Sequence, residues 1–545
     1  MHDNFSNSQV IRKPAQVSAA GIVAAQHVQA AEVGARVLGA GGDCVDAVVA
    51  TSFALGALEP WMSGMGGGGA MVLYRARERR FEVIDFGMRS PMGLKPEDFP
   101  LTGQGAASDL FPWPRVKDDR NIHGPASIAV PGLVAGMEMA HRRHAKLPWR
   151  DLLAPAVALA KQGLLVDGVT TAIIASGAAD LRRYPGSTQA FLIDGLPPSA
   201  MWGIRSEVRL PQAALAATLA AVGERGPRDF YTGEIAAGMA ADIRQAGGYL
   251  AAEDLAAYRA VLREPLAIAY RGARVMATPE LTAGPTLAHA LRLLAQSNAV
   301  GKGDAPDAAA YIDYALALQA AYRERLKGMG DADGRRALGA EHLAPACTTH
   351  FSVVDAEGNM AAVTQTLLSI FGSKFTLPSS GILMNNGVMW FDPVAGGPNA
   401  LGPGRRCLTN YTPVIAEGPD GRMLAVGASG GRRILPAVMQ LLSLTLDYGM
   451  DLDAAFHTPR IDASEGEVVI GDVRLPAAIR AALHDRFDYA EARLQTTPMK
   501  FACPSAVARA AGINSGATEI AQPWADAVAQ PGGAELQGTD GGKSR

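Results

Sequence analysis

Hydrophobic positions recur mainly with a helical period over the first 330 residues and with a strand period beyond residue 348. In residues 24–58, Ala31, Val33, Val37 and Leu38 fall at helical spacing, Gly41-Gly42 stops the run, and Asp43 is placed to cap a second helix through Asp46 and Val49. A helix–turn–helix layer is predicted. After Glu59-Pro60, the glycine-rich run 62–69 leads into an apolar strand over 70–74 and a second strand over 81–86. Residues 100–125, rich in Pro, Gly and Asp, read as a long loop. Helices follow over 134–144 and from Pro148, where Leu152, Leu153, Val157 and Ala160 share one face, and they dominate to about residue 260. Two more are predicted over 287–294 and 308–327, before a Gly/Asp-rich stretch over 328–339. Beyond Thr348, strands over 351–354 and 360–366 are joined through Asp355-Ala356-Glu357-Gly358-Asn359, a turn in which Gly and Asn tolerate positive φ. A second hairpin pairs 413–416 with 423–426 across Gly418-Pro419-Asp420-Gly421.

Composition narrows the class. A chain of 545 residues with 48% hydrophobic and 19% charged residues can bury a large core and is neither disordered nor a coiled coil. Its net charge of −3 gives no electrostatic footprint for nucleic acid or an anionic membrane, so a small-molecule partner is expected. Residues 17–25 follow Arg12 and Lys13 and imitate a weak signal peptide, but Gln26, His27 and Gln29 interrupt them, so they read as folded structure. No apolar run approaches the length of a membrane helix. Cys44, Cys347, Cys407 and Cys503 lie far apart, which fits reduced thiols and a cytoplasmic location. The ten histidines show no zinc-ligand spacing, so neither metal nor cofactor is implied.

Candidate chemistry concentrates at Thr348, which opens the β-rich region. A threonine hydroxyl is a poor nucleophile near neutral pH unless a base adjoins it, and an N-terminal threonine carries that base as its own α-amine, with an unperturbed pKa of about 7.7–8.0. Thr348 is internal, so the Cys347–Thr348 bond must first be cut, most simply by Thr348 Oγ attacking the Cys347 carbonyl, with hydrolysis of the resulting ester. Three other features have a bland reading beside a functional one. Cys347 near His342 and His350 suggests a thiol nucleophile, yet lone cysteines are more often inert small hydrophobes. The 62–69 run lacks the Lys-Ser/Thr of a phosphate-binding loop, so close packing is the better reading. Arg432 and Arg433 are either a carboxylate clamp or solvated surface charges.

Five strings make the picture specific: EPWMSGMGGGGAMVLY (59–74), AVPGLVAGMEMAHRRHAKLPWRDLLAPAVALAKQGLLVD (129–167), TTHFSVVDAEGNMAAVTQT (348–366), GILMNN (381–386) and GASGGRRI (427–434). Together they resemble the gamma-glutamyltransferase family, in the family's order and over roughly residues 20–525. The resemblance implies a four-layered αββα sandwich of the N-terminal nucleophile hydrolases, an α+β fold made as a self-cleaving precursor. Residues 1–347 would form the large subunit and 348–527 the small one, associated in one globule, with 528–545 a disordered tail. It makes Thr348 the nucleophile and new N-terminus, Thr366 the hydroxyl that orients it, and Gly430 and Gly431 the donors of an oxyanion hole; a plain turn before a helix is the alternative for the glycines. It places Asn386, Trp390, Thr409, Asn410 and Arg432 in the substrate pocket. Here the sequence departs from the pattern of gamma-glutamyl enzymes. Trp390 stands where a carboxylate is expected, Leu368 where an asparagine is expected, and Thr409-Asn410 where paired serines are expected, while Arg89 sits earlier than the family's arginine. The expected activity is hydrolysis of a small amide without a free α-amino group; FGMRSP (86–91), VKDDRNIHGP (116–125) and NNGVMWFDP (385–393) resemble most the oxamate amidohydrolase branch, which implies oxamate as the candidate substrate. Glutathione hydrolysis and a non-catalytic binding role are the alternatives.

Overall fold

A computed structural model describes residues 10–107, 113–200, 206–328, 346–397, 399–497 and 499–532. Fourteen of its strands build the two large sheets. In chain order they are β1 (Gln16–Ser18), β2 (Ile22–Ala25), β3 (Gly68–Arg75), β4 (Arg80–Phe86), β5 (Val261–Arg263), β6 (Leu266–Tyr270), β7 (Ala273–Ala277), β8 (Ala346–Val354), β9 (Met360–Ser369), β10 (Val414–Glu417), β11 (Met423–Ser429), β12 (Cys503–Ala510), β13 (Ile513–Thr518) and β14 (Asp526–Ala529). One antiparallel sheet runs β14-β2-β8-β9-β3-β4-β5 and the other β1-β13-β12-β11-β10-β7-β6.

The central strands β2, β8, β9 and β11 bury both faces, and the period of two sorts their residues between two cores. On β2, Ile22 and Ala24 point between the sheets with Val72, Met276, Ile415 and Val507. Val23 and Ala25 point outward with Phe351 and Val353 of β8, beneath the helices Val28–Gly39, Cys44–Leu58, Leu133–His144 and Trp149–Gln162. The second sheet is covered on its outer face by Gly284–Ala295, Ala308–Gly328 and Ile434–Leu446. The result is the expected αββα sandwich. Asp43 caps Cys44–Leu58 as expected, accepting from the backbone N–H groups of Val45 and Asp46, while Asp46 accepts from the Asp43 N–H in a reciprocal capping box.

Several expectations need correction. Part of residues 100–125 is a strand pair, Leu101–Ala106 with Pro114–Val116, rather than loop; its first strand is exposed and reads LTGQGA, so it lacks the apolar alternation that marks a strand. Residues 17–25, read only as folded structure, fall in β1, β2 and the turn between them. The tail was placed to begin at 528, but Val528 and Ala529 continue β14 in register with Val23 and Ile22. Residues 533–545, most of the expected tail, and the stretch 329–345 with His342 lie outside the described residues. Both sides of the expected cut share one sheet: β8 and β9 sit between β2 and β3. Among the described residues no helix is long and apolar enough to cross a membrane.

Candidate active site

Thr348 and Thr366 are brought together by the first hairpin. Its register pairs His350 with Thr364 and Thr349 with Gln365, slips between Cys347 and Thr349 and resumes at Cys347 with Leu368, so a bulge within the ladder re-aims Thr348. The Thr348 hydroxyl donates to the Cys347 carbonyl oxygen at 2.5 Å, so it stands at the carbonyl it would attack. Thr366 Oγ1 donates to the same oxygen at 2.6 Å and lies 3.3 Å from Thr348 Oγ1. It also accepts from the Leu368 N–H at 2.8 Å, which turns its proton toward the carbonyl. Leu368 pays with a positive φ of 88°, a conformation costly for a branched side chain. Cys347 points the other way, its thiol donating to the Trp61 carbonyl at 2.5 Å, so it packs as a small apolar side chain does.

The glycine-rich run holds the hairpin from behind. A Cβ on Gly67 would lie 2.3 Å from the Thr366 carbonyl oxygen, so only glycine lets this loop meet β9 backbone to backbone. That is the close packing expected of it. Asn385 bridges the same loop to residue 129, donating to the Gly66 and Ala129 carbonyls and accepting from the Ala129 and Gly387 N–H groups. Asn386 donates to the Ile122 carbonyl and to Ser369 Oγ and accepts from the Ser369 N–H, so it ties down the end of β9. His350, between the sheets, contacts Thr364 Oγ1 at 2.9 Å and Ser352 Oγ at 3.0 Å, and burial drives its pKa down to about 3.

Gly430 and Gly431 follow β11 on the opposite sheet. Gly430 has φ 129° and Gly431 φ 60°, so the chain turns tightly there before Ile434–Leu446, and the turn packs against β8. Gln26 anchors its approach, donating to Ser429 Oγ at 2.5 Å and to the Cys503 carbonyl at 2.9 Å. Arg433 is buried and donates to the Met499 carbonyl at 2.5 Å, so it is not a surface charge. Arg432 lies over the Tyr322 ring, 5.4 Å from its centroid, and Tyr322 OH donates to its carbonyl.

Thr409 and Asn410 run beside residues 281–283: Thr409 donates both its N–H and its hydroxyl to the Leu281 carbonyl, and the Ala283 N–H donates to the Tyr411 carbonyl. The β10–β11 register ends at Val414 opposite Val426, so Asn410 lies beyond the paired residues. Trp390 is buried in an apolar cluster with Leu368, Met88, Phe391 and Tyr411, its ring 6.1 Å from that of Tyr411. Arg89 donates to the Gly404 carbonyl. The sequence reading missed Arg325. It donates to the Thr282 and Thr409 carbonyls, Thr286 Oγ1 and Asn410 Oδ1, at 3.0, 2.7, 3.1 and 3.2 Å. A signal was present: Arg325 stands four residues past Ala321 and seven past Leu318, on the buried stripe of its helix.

The sequence profile described as Gamma-glutamyltranspeptidase matches residues 30–346 and 335–528. Acylase ACY 1 proenzyme of Pseudomonas sp. (strain SE83) is 31% identical over 501 residues, 87% of this chain and 87% of that protein. Glutathione hydrolase proenzyme of Bacillus subtilis (strain 168) is 30% identical over 495 residues, 82% of this chain and 81% of that protein. Among solved structures, cephalosporin acylase from Bacillus halodurans superposes with a TM-score of 0.81 over 97% of this chain and 99% of that one, at 24% identity, a likeness of fold.

Proposed function

The chain belongs to the gamma-glutamyltranspeptidase family of hydrolases, and on that premise we propose that Thr348 cuts its own chain and then hydrolyses a short amide lacking an α-ammonium group, with oxamate as the first candidate. The observation that carries the self-cleavage is the pair of hydroxyls on the Cys347 carbonyl. Thr348 Oγ attacks the carbonyl carbon while Thr366 donates to its oxygen. The Cys347–Thr348 C–N bond breaks, the nitrogen takes up a proton to become the Thr348 α-amine, and an ester remains. Water then splits the ester, leaving a Cys347 carboxylate and Thr348 with free amine and hydroxyl.

In turnover the α-amine takes the Oγ proton as Oγ adds to the substrate carbonyl. The N–H groups of Gly430 and Gly431 would receive the oxyanion, a contribution of about 2.7–4 kcal/mol per donor. The amine departs with a proton, and water hydrolyses the threonyl ester. The acyl pocket reading rests on Trp390 and Leu368. Both lie in one apolar cluster where a gamma-glutamyl enzyme is expected to present polar groups, and an α-ammonium group buried there would lack a carboxylate partner.

Two measurements test this. Intact mass should show two fragments meeting at Cys347–Thr348. Ammonia release from oxamate should exceed glutathione hydrolysis in kcat/KM; the reverse order would make this a glutathione hydrolase, the activity named for its Bacillus subtilis relative.

A further inference from the structure

The outer helical layer carries a cavity of about 370 Å³, the size of a small-molecule site, and none of the residues placed around Thr348 lines it. It lies where the helix Leu133–His144 meets the edge strand β5 and the short helix Asp229–Thr232. Its walls divide by chemistry. Met139, Leu262 and the stacked rings of Tyr231 and Tyr258, 5.8 Å between centroids, make an apolar floor. Both tyrosines are held in place: Tyr258 OH donates to the Gly87 carbonyl at 2.7 Å, and Tyr231 OH donates to the Pro131 carbonyl and accepts from the Ala135 N–H. A ligand on this floor meets groups already ordered.

The other wall is cationic. Arg142, Arg143, Arg228 and Arg259 line the cavity against one lining carboxylate, Glu138. Arg143 is engaged by Glu82 at 2.8 Å, and Arg142 stands 3.9 Å from Glu138. Arg259 donates through Nη1 to the Ala256 and Tyr258 carbonyls, which fixes the guanidinium and leaves its charge unmatched. Arg228 is exposed, and its side chain has no hydrogen bond or ion pair among the described residues. Two guanidinium charges in one cavity thus lack a carboxylate among the described residues, in a chain whose net charge is −3.

We propose that this cavity binds a small organic dianion, a phosphate monoester of an aromatic or aliphatic body, with the body on the tyrosine floor and the head on Arg228 and Arg259. Guanidinium forks match the oxygens of a phosphate, and a monoester carries both charges on one group near neutral pH. The amide read as the substrate of Thr348 does not fit this description: oxamate is a monoanion with no apolar body. The site is therefore a second one, for a different ligand.

The test is isothermal titration of the full chain with 1-naphthyl phosphate, inorganic phosphate and 1-naphthol, at low ionic strength, where exposed charges are least screened. Naphthyl phosphate should bind at least about tenfold more tightly than either fragment, because it alone meets both walls. Arg228→Gln should weaken it about tenfold, as expected for one lost bond to a charged group. That side chain is exposed and unbonded, so its loss leaves the fold intact. Leu262→Ser should weaken naphthyl phosphate and leave inorganic phosphate unchanged. Three results overturn the proposal: no binding of naphthyl phosphate, binding no tighter than that of inorganic phosphate, or binding unchanged in Arg228→Gln. None of these readouts needs amide turnover, so their failure leaves the reading of Thr348 standing.

Discussion

Asn386 and Asn410 are both buried asparagines in irregular segments, one following β9 and one preceding β10, and they are spent differently. Asn386 uses both amide atoms on Ile122 and Ser369, so it finishes the end of the strand that carries Thr366. Asn410 uses its oxygen on Arg325 and leaves its NH2 without a partner among the described residues. A satisfied amide holds a scaffold, whereas a half-satisfied one in the interior is expensive unless something else completes it. At Asn386 the hydrogen bonds close on the protein itself. At Asn410 one donor stays open among the described residues.

The sharpest way to break this division is at the nucleophile. Thr348→Ala should leave the 56.8 kDa chain whole and lower amide turnover by at least about a thousandfold. Two fragments from that variant, meeting at the same bond, would rule out attack by Thr348 and revive the Cys347 thiol, which Cys347→Ala would then test. Next in size is Thr366→Val, which removes the donor to the Cys347 carbonyl and keeps the shape. Cleavage and kcat should both slow by about 10²–10³, the worth of one oxyanion donor. An effect on KM alone would move Thr366 into substrate binding.

The asparagines themselves give a direct contrast. Asn386→Leu strands the Ile122 carbonyl and the Ser369 N–H in the interior, at about 1–3 kcal/mol per group, so urea unfolding should show a loss of about 2–5 kcal/mol. Asn410→Leu removes one bond to Arg325 and one unpaired NH2, and these partly offset each other. Its loss of stability should be less than half as large, with the damage falling on substrate KM. Equal losses from the two would erase the distinction between scaffold and recognition.

How far each side could be read from sequence follows the same line. Thr348 and Thr366 sit on one hairpin, so a local turn signal and a family string were enough to pair them. The strands around that hairpin were found but drawn short: β9 runs to Ser369 rather than residue 366, and β11 to Ser429 rather than 426, because their last residues are held by partners distant in sequence. Arg325 meets Asn410 across 85 residues, from a helix on the outer layer, and two of its four bonds go to backbone carbonyls, which carry no side-chain signature. The exposed strand pair at 101–116 was read as loop for a related reason: without an apolar face, its pairing leaves no period of two.

Glu59 is a buried carboxyl on the nucleophile side that stays open, as Thr349 Oγ1 and Trp61 Nε1 do, and it yields the smallest and most exacting prediction. It lies two residues before Trp61, whose carbonyl holds the Cys347 thiol, and both its oxygens are buried without a partner among the described residues. Burial raises its pKa from 4.5 to about 8. The folded chain thus keeps a proton that the unfolded chain releases above pH 4.5, and stability falls as pH rises from there to about 8. His350 and His27 act in the opposite sense. Burial holds them neutral down to about 3 and 4, while their unfolded forms protonate near 6.5, so their contribution rises with pH up to 6.5 and is then complete. Below pH 6.5 the two histidines outweigh the one carboxyl; above it Glu59 acts without them. Between pH 6.5 and 8 the parent chain should lose about 2 kcal/mol, at about 1.4 kcal/mol per pH unit for one group. Glu59→Gln, which keeps the shape and cannot ionise, should be flat over that interval. Urea unfolding at three pH values in the interval measures both slopes, and a parent chain as flat as the Gln variant would mean that Glu59 is ionised and paired in the fold.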